Sequence, residues 1–513
     1  MAMRISLQSA VRCPVCQEDV EGNLGKHIQQ VHGEQAYTRA VLDARQAGMS
    51  DAEIGARFGI TLKQLERLVL QAHGINVSPL PQQAQVKSWF PKDFKPETTT
   101  VWSYKQRGNW ATHNGRYRGN WSPYIPRNLI LRYSQPGEVV LDPFVGGGTT
   151  AVEAKLLGRK CIAVDVNPAC VELTRQSLRF NPPKTLFSEL PLYEPMVQVG
   201  DARNLESIAS DSIDLICAHP PYAGIIEYSP QIEGDLSQLG VDEYVHQMQM
   251  VAEECYRVLK PGRYCAVLIG DTRKHKHVVP IGFRVIDAFL RAGFRLKELV
   301  IKRQHNCKTT GFWRERSIQH NFLLLAHEYL PVFEKPADVD LAGEAQTLFG
   351  FSRVQSLDSA PATEDMETTT VWVLPSEGFE RHIASNVTSR YGTDILFVQA
   401  ELRNIAANRI TGVDNSVRDI AETVDAWLSR PEHGKFVVIQ TKDVRTGRYL
   451  LPMGKILTDA FQHDKRLWLK EIVIAVPDNP ALPADESPDN LAIVHKYILV
   501  YEVRDDEKDY RIR

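Results

Sequence analysis

The stretch DLICAHPPY, Asp214 to Tyr222, ends an apolar run in a histidine, two prolines and an aromatic ring. A neutral imidazole accepts one hydrogen bond through its bare nitrogen, and an unperturbed pKa of ~6.5 leaves it mostly neutral near pH 7. Prolines fix the backbone around it, and Tyr222 adds a flat face. A second reactive set lies near the N-terminus, where CPVCQEDVEGNLGKHIQQVH spaces Cys13, Cys16, His27 and His32 as C-x2-C-x10-H-x4-H. A tight turn offering two thiolates and a helix offering two imidazoles make the donor set of a tetrahedral structural zinc site. A segment that short cannot fold on a core of its own, which favours a metal over an incidental hairpin.

The elements that must position these groups follow from pattern. EVVLDPFVGGGTTAVEAKLLGRKCIAVDVNP, Glu138 to Pro168, reads strand, glycine loop, helix, strand. Gly146, Gly147 and Gly148 let backbone approach a ligand, and Asp165 ends the second strand about 20 residues past the loop, the distance at which such folds grip a ribose diol. Any nucleotide would satisfy that much. A third strand ends in VGDARNL, with Asp201, and the fourth ends in the histidine motif. After the cysteine and histidine segment, Gly48 to Val69 reads as two capped helices around Gly59, with Ile54, Phe58, Ile60, Leu65 and Leu68 inward, a helix-turn-helix whose Lys63, Gln64 and Arg67 face a DNA groove. A Pro-, Gln- and Ser-rich stretch, Val77 to Val86, separates this head from the rest.

Composition bounds the reading. The 513 residues are 43% hydrophobic and 24% charged, a globular chain of about three domains. The net charge of -3 neither demands nor excludes nucleic acid. No apolar run suffices for a membrane helix and no signal pattern opens the chain, so a cytoplasmic protein with reduced thiols is expected.

DPFVGGGTT, VDVNP, GDAR, HPPY and LKPG, in that order, resemble the motifs of S-adenosylmethionine-dependent DNA amino-methyltransferases of the adenine-N6 and cytosine-N4 kind, over roughly Glu97 to Leu330. The resemblance implies a Rossmann-like α/β domain that transfers methyl groups to an exocyclic amine. It implies that Asp142, Pro143, Phe144, Gly146, Gly148 and Thr149 hold the cofactor's methionine end, Asp165 its ribose, and Asp201 with Ala202 its adenine. It makes His219, Pro220, Pro221 and Tyr222 catalytic: the side chain at the first position and the carbonyl of Pro220 accept the amine's hydrogens, localising a lone pair that the ring would delocalise. Tyr222 would stack a base swung out of the duplex. The family has Asp, Asn or Ser where this chain has His219, which leaves adenine and cytosine both open and predicts a rate sensitive to the histidine's protonation.

Arg273, Lys274, Arg303, Lys308 and Arg314, on segments interleaved with Phe312 and Trp313, suit a DNA backbone and a displaced base; Arg107, Trp110 and Trp121 are expected in the same channel. ETTTVW occurs at 97–102 and again at 367–372, and VVPIGFRVIDAFLRAGFRLKELVI is echoed by LLPMGKILTDAFQHDKRLWLKEIVI, so the last third reads as a degenerate copy of the later half of the methyltransferase unit. The expected organisation is a C2H2-type zinc finger at 1–34, a helix-turn-helix at 35–76, a linker at 77–96, the methyltransferase domain at 97–335, a linker at 336–366 and the degenerate repeat at 367–513. Double-stranded DNA is the expected partner, with a homodimer and a companion restriction or defence system also open. An RNA amino-methyltransferase and a non-catalytic cofactor-sensing DNA-binding regulator are the rival readings.

Overall fold

The computed structural model describes residues 11–504 except 21, 62–63, 66–67, 70–85, 116, 118, 182–190, 224–231, 233, 306–309, 338–348, 357–360, 363–365, 405–412 and 483–488. Eight strands form the first sheet: β1 (Val101–Ser103), β2 (Val139–Asp142), β3 (Lys160–Asp165), β4 (Met196–Val199), β5 (Ile213–Ala218), β6 (Leu259–Val267), β7 (Arg295–Arg303) and β8 (His327–Glu334), in the order β1-β7-β8-β6-β5-β2-β3-β4. All pairings are parallel except those of β8, which lies antiparallel between β7 and β6. Apolar runs such as Leu215–Ala218 are buried throughout, as a sheet covered by helices on both faces requires. The order reverses between β2 and β5: β2 leads outward to β3, while β5 leads the other way to β6. A crevice at the carboxyl ends of two such strands is where open α/β sheets bind ligands.

A second, six-stranded sheet holds β9 (Phe349–Ser356), β10 (Val371–Leu374), β11 (Ile395–Asn404), β12 (Phe436–Thr441), β13 (Leu467–Pro477) and β14 (Lys496–Val503), in the order β9-β11-β12-β14-β13-β10. From β10 inward its pairings run parallel, antiparallel, antiparallel, parallel, the same succession that runs from β1 to β5. The departure lies at the next position. Where β2 with its glycine loop lies parallel to β5, β9 lies antiparallel to β11.

The head begins as a short hairpin, Val11–Arg12 with Asp19–Val20, followed by Leu24–His27, a π-helical turn Ile28–His32 and the helix Gly33–Gln46. Helix Asp51–Phe58 carries a capping box of Ser50 and Glu53 and ends at Gly59, whose φ of 66° favours glycine. The next turn is capped in the same way: Gln64 Oε1 accepts from the Thr61 amide at 3.0 Å and from its hydroxyl at 2.7 Å. The side chain assigned to a DNA groove is therefore committed locally. Lys63, Arg67 and residues 77–85 of the expected linker lie outside the described residues.

The head is not a detached module. Leu65, Val69 and Tyr37 share a core with Ala169, Cys170 and Leu173 of helix Pro168–Ser177, which follows directly on β3. Deleting residues 1–75 uncovers that apolar face beside Asp165, so the truncated chain should melt at a lower temperature and hold cofactor less well. Equal melting curves would show the packing to be inconsequential. Among the described residues no helix is long and apolar enough to cross a membrane.

Candidate active site

One cavity of about 690 Å³ opens at the reversal of strand order. Gly146 and Asp165 line one side, His219 and Tyr222 the other, so the glycine loop and the histidine motif face a common space. Gly146 has a φ of 50°, and a Cβ there would lie 2.8 Å from the Tyr117 ring; only glycine fits. Its amide donates to Asp165 Oδ2 at 2.8 Å, and the Asn167 amide donates to Oδ1 at 2.9 Å. Burial pushes the Asp165 carboxyl up to about 6 despite those amides.

The other expected cofactor residues stand differently. Asp142 is 2% exposed and is not part of the cavity wall; its carboxylate takes the Phe144 amide at 3.0 Å, and burial pushes its pKa up to about 7. It buttresses the loop from behind. Asp201 is bound by Arg203 through both Nε and Nη2 and is likewise absent from the wall, while Ala202 is core. Thr149 is buried as the first residue of helix Thr149–Leu156, with Gly148 as its left-handed N-cap. Phe144 lines the cavity; Pro143 does not.

His219 lies beneath Trp121, the rings stacked at 5.5 Å and 19°. Its Nε2 is 3.2 Å from the Tyr222 hydroxyl, which donates to Glu328 Oε1 at 2.6 Å, and Glu328 Oε2 accepts from Lys302 Nζ at 2.7 Å. Burial works to raise the pKa of Glu328, but the Lys302 charge and the hydrogen bonds from Lys302 and Tyr222 carry it down to about 2. The carboxylate is ionised, so the single tyrosine proton goes to it and the tyrosine oxygen can only accept from histidine. Nε2 therefore bears the imidazole proton and Nδ1 the lone pair. Burial, with Lys302 and Arg107 adding to it against Glu328, pushes His219 down to about 4 rather than the ~6.5 of a free imidazole. Sequence reading placed Lys302 among the basic residues beside the site but missed Glu328, its partner. The signal was present in LLAHEYL, a carboxylate inside an apolar strand that needs a buried partner.

The basic residues disperse. Arg303 lines the cavity, Lys274 and Arg314 are exposed, and Lys308 lies outside the described residues. Arg273 does not face a groove: it hydrogen-bonds Glu471 and the Lys470 carbonyl of the second sheet. Arg107 and Trp121 line the cavity, but Trp110 is core, donating to the fully buried Glu153 at 2.6 Å beside Arg127 and His113.

In the head, the ligand atoms of Cys13, Cys16, His27 and His32 all lie within 4.8 Å of one another. Zinc bonds of about 2.0–2.3 Å place donors roughly 3.3–3.8 Å apart, and Cys16 Sγ is 3.5 Å from His27 Nε2. The π turn explains the spacing. Five residues make about one wide turn, which sets both imidazoles on the face toward the thiols. His32 Nε2 is buried with no hydrogen-bond partner, a donor set that fits a metal.

Curated relatives align over short stretches. Type II methyltransferase M.BsoBI of Geobacillus stearothermophilus is 40% identical over 68 residues, 13% of this chain and 13% of that protein. Type II methyltransferase M2.DpnII of Streptococcus pneumoniae is 36% identical over 74 residues, 14% of this chain and 26% of that one. A tRNA (guanine(10)-N2)-dimethyltransferase of Methanothermobacter thermautotrophicus is 31% identical over 107 residues, 21% and 29% of the two chains. The chain thus spans between 13% and 29% of these relatives' length. The family model described as DNA methylase matches far more, residues 57–176 and 213–386, which takes in β2 with its glycine loop, β3, and β5 with the histidine motif. A match over more than half of its length, centred on the strands that bound the cavity, makes the chain a member of the DNA methylase family.

Proposed function

We propose that the chain transfers a methyl group from S-adenosylmethionine to the exocyclic amine of adenine or cytosine in DNA. The observation that carries this reading is the shared cavity: a glycine loop and a half-buried acid on one wall, His-Pro-Pro-Tyr on the other. The residues fit the cofactor, because the glycine loop reaches the cavity wall at Gly146 without a side chain and Asp165 presents a carboxylate there. When bound, S-adenosylmethionine supplies a sulfonium methyl already activated for displacement, so transfer needs no metal.

This chain's residues then act on the amine. Nδ1 of His219 accepts one amino hydrogen and the Pro220 carbonyl the other, which draws the nitrogen lone pair out of conjugation and aims it. Glu328, through Tyr222, holds the imidazole in the tautomer that can accept. Trp121 and Tyr222 supply faces for a base brought out of its stack. The proton that the methylated amine sheds passes to Nδ1 and on to solvent; a ring with a pKa of about 4 keeps it only briefly. Asp142 holds the loop rather than the ligand, and Arg303, at the cavity wall, is the cation offered to a backbone phosphate.

Expression in a methylation-free bacterial host, followed by modified-base sequencing, tests the reading. One recurring genomic sequence should carry methylated adenine or cytosine. Cofactor binding without any modified DNA would sink it, and modified RNA in its place would favour the RNA reading that the tRNA dimethyltransferase likeness keeps open.

The head holds a structural zinc in the same proposal. Elemental analysis should find one zinc per chain, lost in Cys16→Ser together with the cooperative melting of residues 11–46, since metal binding supplies most of the folding energy of so small a unit. A metal-free chain with an unchanged melting profile would refute it.

A further inference from the structure

The two sheets meet through contacts that occur in pairs, each pair related by exchange of the units. Thr100 of the first unit hydrogen-bonds His495 Nδ1 of the second at 2.9 Å, and Thr370 of the second hydrogen-bonds His327 Nδ1 of the first at 2.8 Å. Thr99 bridges Ala492, and Thr369 bridges Leu324. Arg273 reaches across to Glu471 and the Lys470 carbonyl, and Arg445 reaches back to Glu298 at 2.7 Å and the Lys297 carbonyl at 3.1 Å. The Leu323 amide donates to Glu471 at 2.8 Å and the Leu491 amide to Glu298 at 3.1 Å. In every case the residues correspond by the internal repeat: ETTTVW with ETTTVW, LKE with LKE, HEY with HKY. Contacts in which residue i meets j while j meets i are the signature of a two-fold, isologous interface.

Glu298 and Glu471 are both fully buried. A buried carboxylate is tolerated only when it is paired, and here each is paired by the arginine of the opposite unit. Neither unit could bury its own glutamate alone. The two surfaces are made for each other, as the surfaces of a homodimer are.

The units differ where the chemistry would be. Strand register places Gln399, Ala400, Glu401 and Leu402 at the positions of His219, Pro220, Pro221 and Tyr222. Gln399 is hydrogen-bonded to Glu380 at 3.2 Å, β11 runs on to Asn404, and the antiparallel β9 takes the place of the strand that bears the glycine loop. Among the described residues no reversal of strand order remains there, and with it goes the crevice. The second unit instead touches the cavity of the first. Thr370 Oγ1 accepts from the Ala326 amide at 3.0 Å and holds His327, and Leu325, His327 and Glu328 line that cavity. On the other flank Thr100, held by His495, anchors the segment that runs to the lining residues Tyr104 and Arg107.

We propose that residues 349–503 are a built-in second subunit: the chain folds as an internal pseudo-dimer in which one unit keeps the ligand cavity and the other, having lost its own, occupies the partner's place and braces that cavity's wall. This stands on the interface and is independent of which group the protein methylates. It makes the protein one chain in solution, with the surface a homodimer would use already covered.

Engineered disulfides test it on the full chain. Thr99→Cys with Ala492→Cys, and separately Leu324→Cys with Thr369→Cys, place thiols on bridged neighbours, within the Cα separation a disulfide needs. Under mild oxidation both variants should yield a faster-migrating single chain on a non-reducing gel, and light scattering of the unmodified protein should give the mass of one chain. Covalent dimers from either pair, with a two-chain mass, would mean that the units pair between chains and would overturn the proposal. So would folded variants in which neither pair forms. Two pairs are used so that if one variant misfolds the other still decides.

Discussion

His219→Ala should slow single-turnover methyl transfer by about 10²-fold or more, the scale of losing one aligned electrostatic contact in a dry site, while calorimetric affinity for S-adenosylmethionine stays within about twofold. The alanine leaves the amine with the Pro220 carbonyl as its one acceptor. His219→Asn should recover part of the rate, because an amide oxygen can take the place of Nδ1. Glu328→Gln gives the sharper diagnosis. The neutral amide no longer fixes where the Tyr222 proton goes, so the tyrosine can donate to Nε2 and the imidazole can turn its N–H toward the amine. Transfer should fall about tenfold or more with cofactor affinity unchanged. An alanine variant as fast as the parent would reduce His219 to a spacer. A parent-like Glu328→Gln would remove the tautomer relay alone.

Asp165→Ala should weaken S-adenosylmethionine binding by more than tenfold, since a charge-assisted hydrogen bond is worth ~1.5–3 kcal/mol and the carboxylate can meet two ribose hydroxyls. Unchanged calorimetric affinity would end the cofactor assignment. The same group sets the pH dependence. Burial raises its pKa to about 6, and the ionised form is the acceptor, so affinity is full above about pH 7 and falls as pH drops through 6, by about tenfold per unit below it. His219 loses its acceptor on acidification as a free imidazole does, but at lower pH. Its active form is neutral and its pKa is about 4, so it stays competent down to about pH 5. Between pH 5.5 and 8.5 the cofactor KM should therefore rise on the acid side while the transfer rate stays flat. A transfer rate that falls near pH 6.5 would mean that the imidazole is solvated in the working complex.

The sequence alone determined the local devices. Glycines at 146–148, an acid ending the next strand and a histidine with two prolines ending a buried strand specify a strand-loop-helix unit and its reactive edge, because those constraints act within a few residues. The C-x2-C-x10-H-x4-H spacing needed only a turn and a helix to bring four donors together, and the repeated ETTTVW marked a second copy. What the sequence could not set was the partner of each charge. Asp142, Asp201, Arg273 and Gln64 are types that bind ligands as well as they cap loops or pair with one another. Local geometry took three of them, Asp142 by the Phe144 amide, Asp201 by Arg203 and Gln64 by Thr61, whereas Arg273 went to Glu471, 198 residues away. The protonation of His219 was decided the same way. Its resting pKa is a property of the residue, but the shift to about 4 and the choice of Nδ1 come from burial under Trp121 and from Tyr222, Glu328 and Lys302, which three separate strand ends bring to one point. Electrostatics in a low-dielectric interior depends on distance in space, and only the tertiary fold supplies that distance.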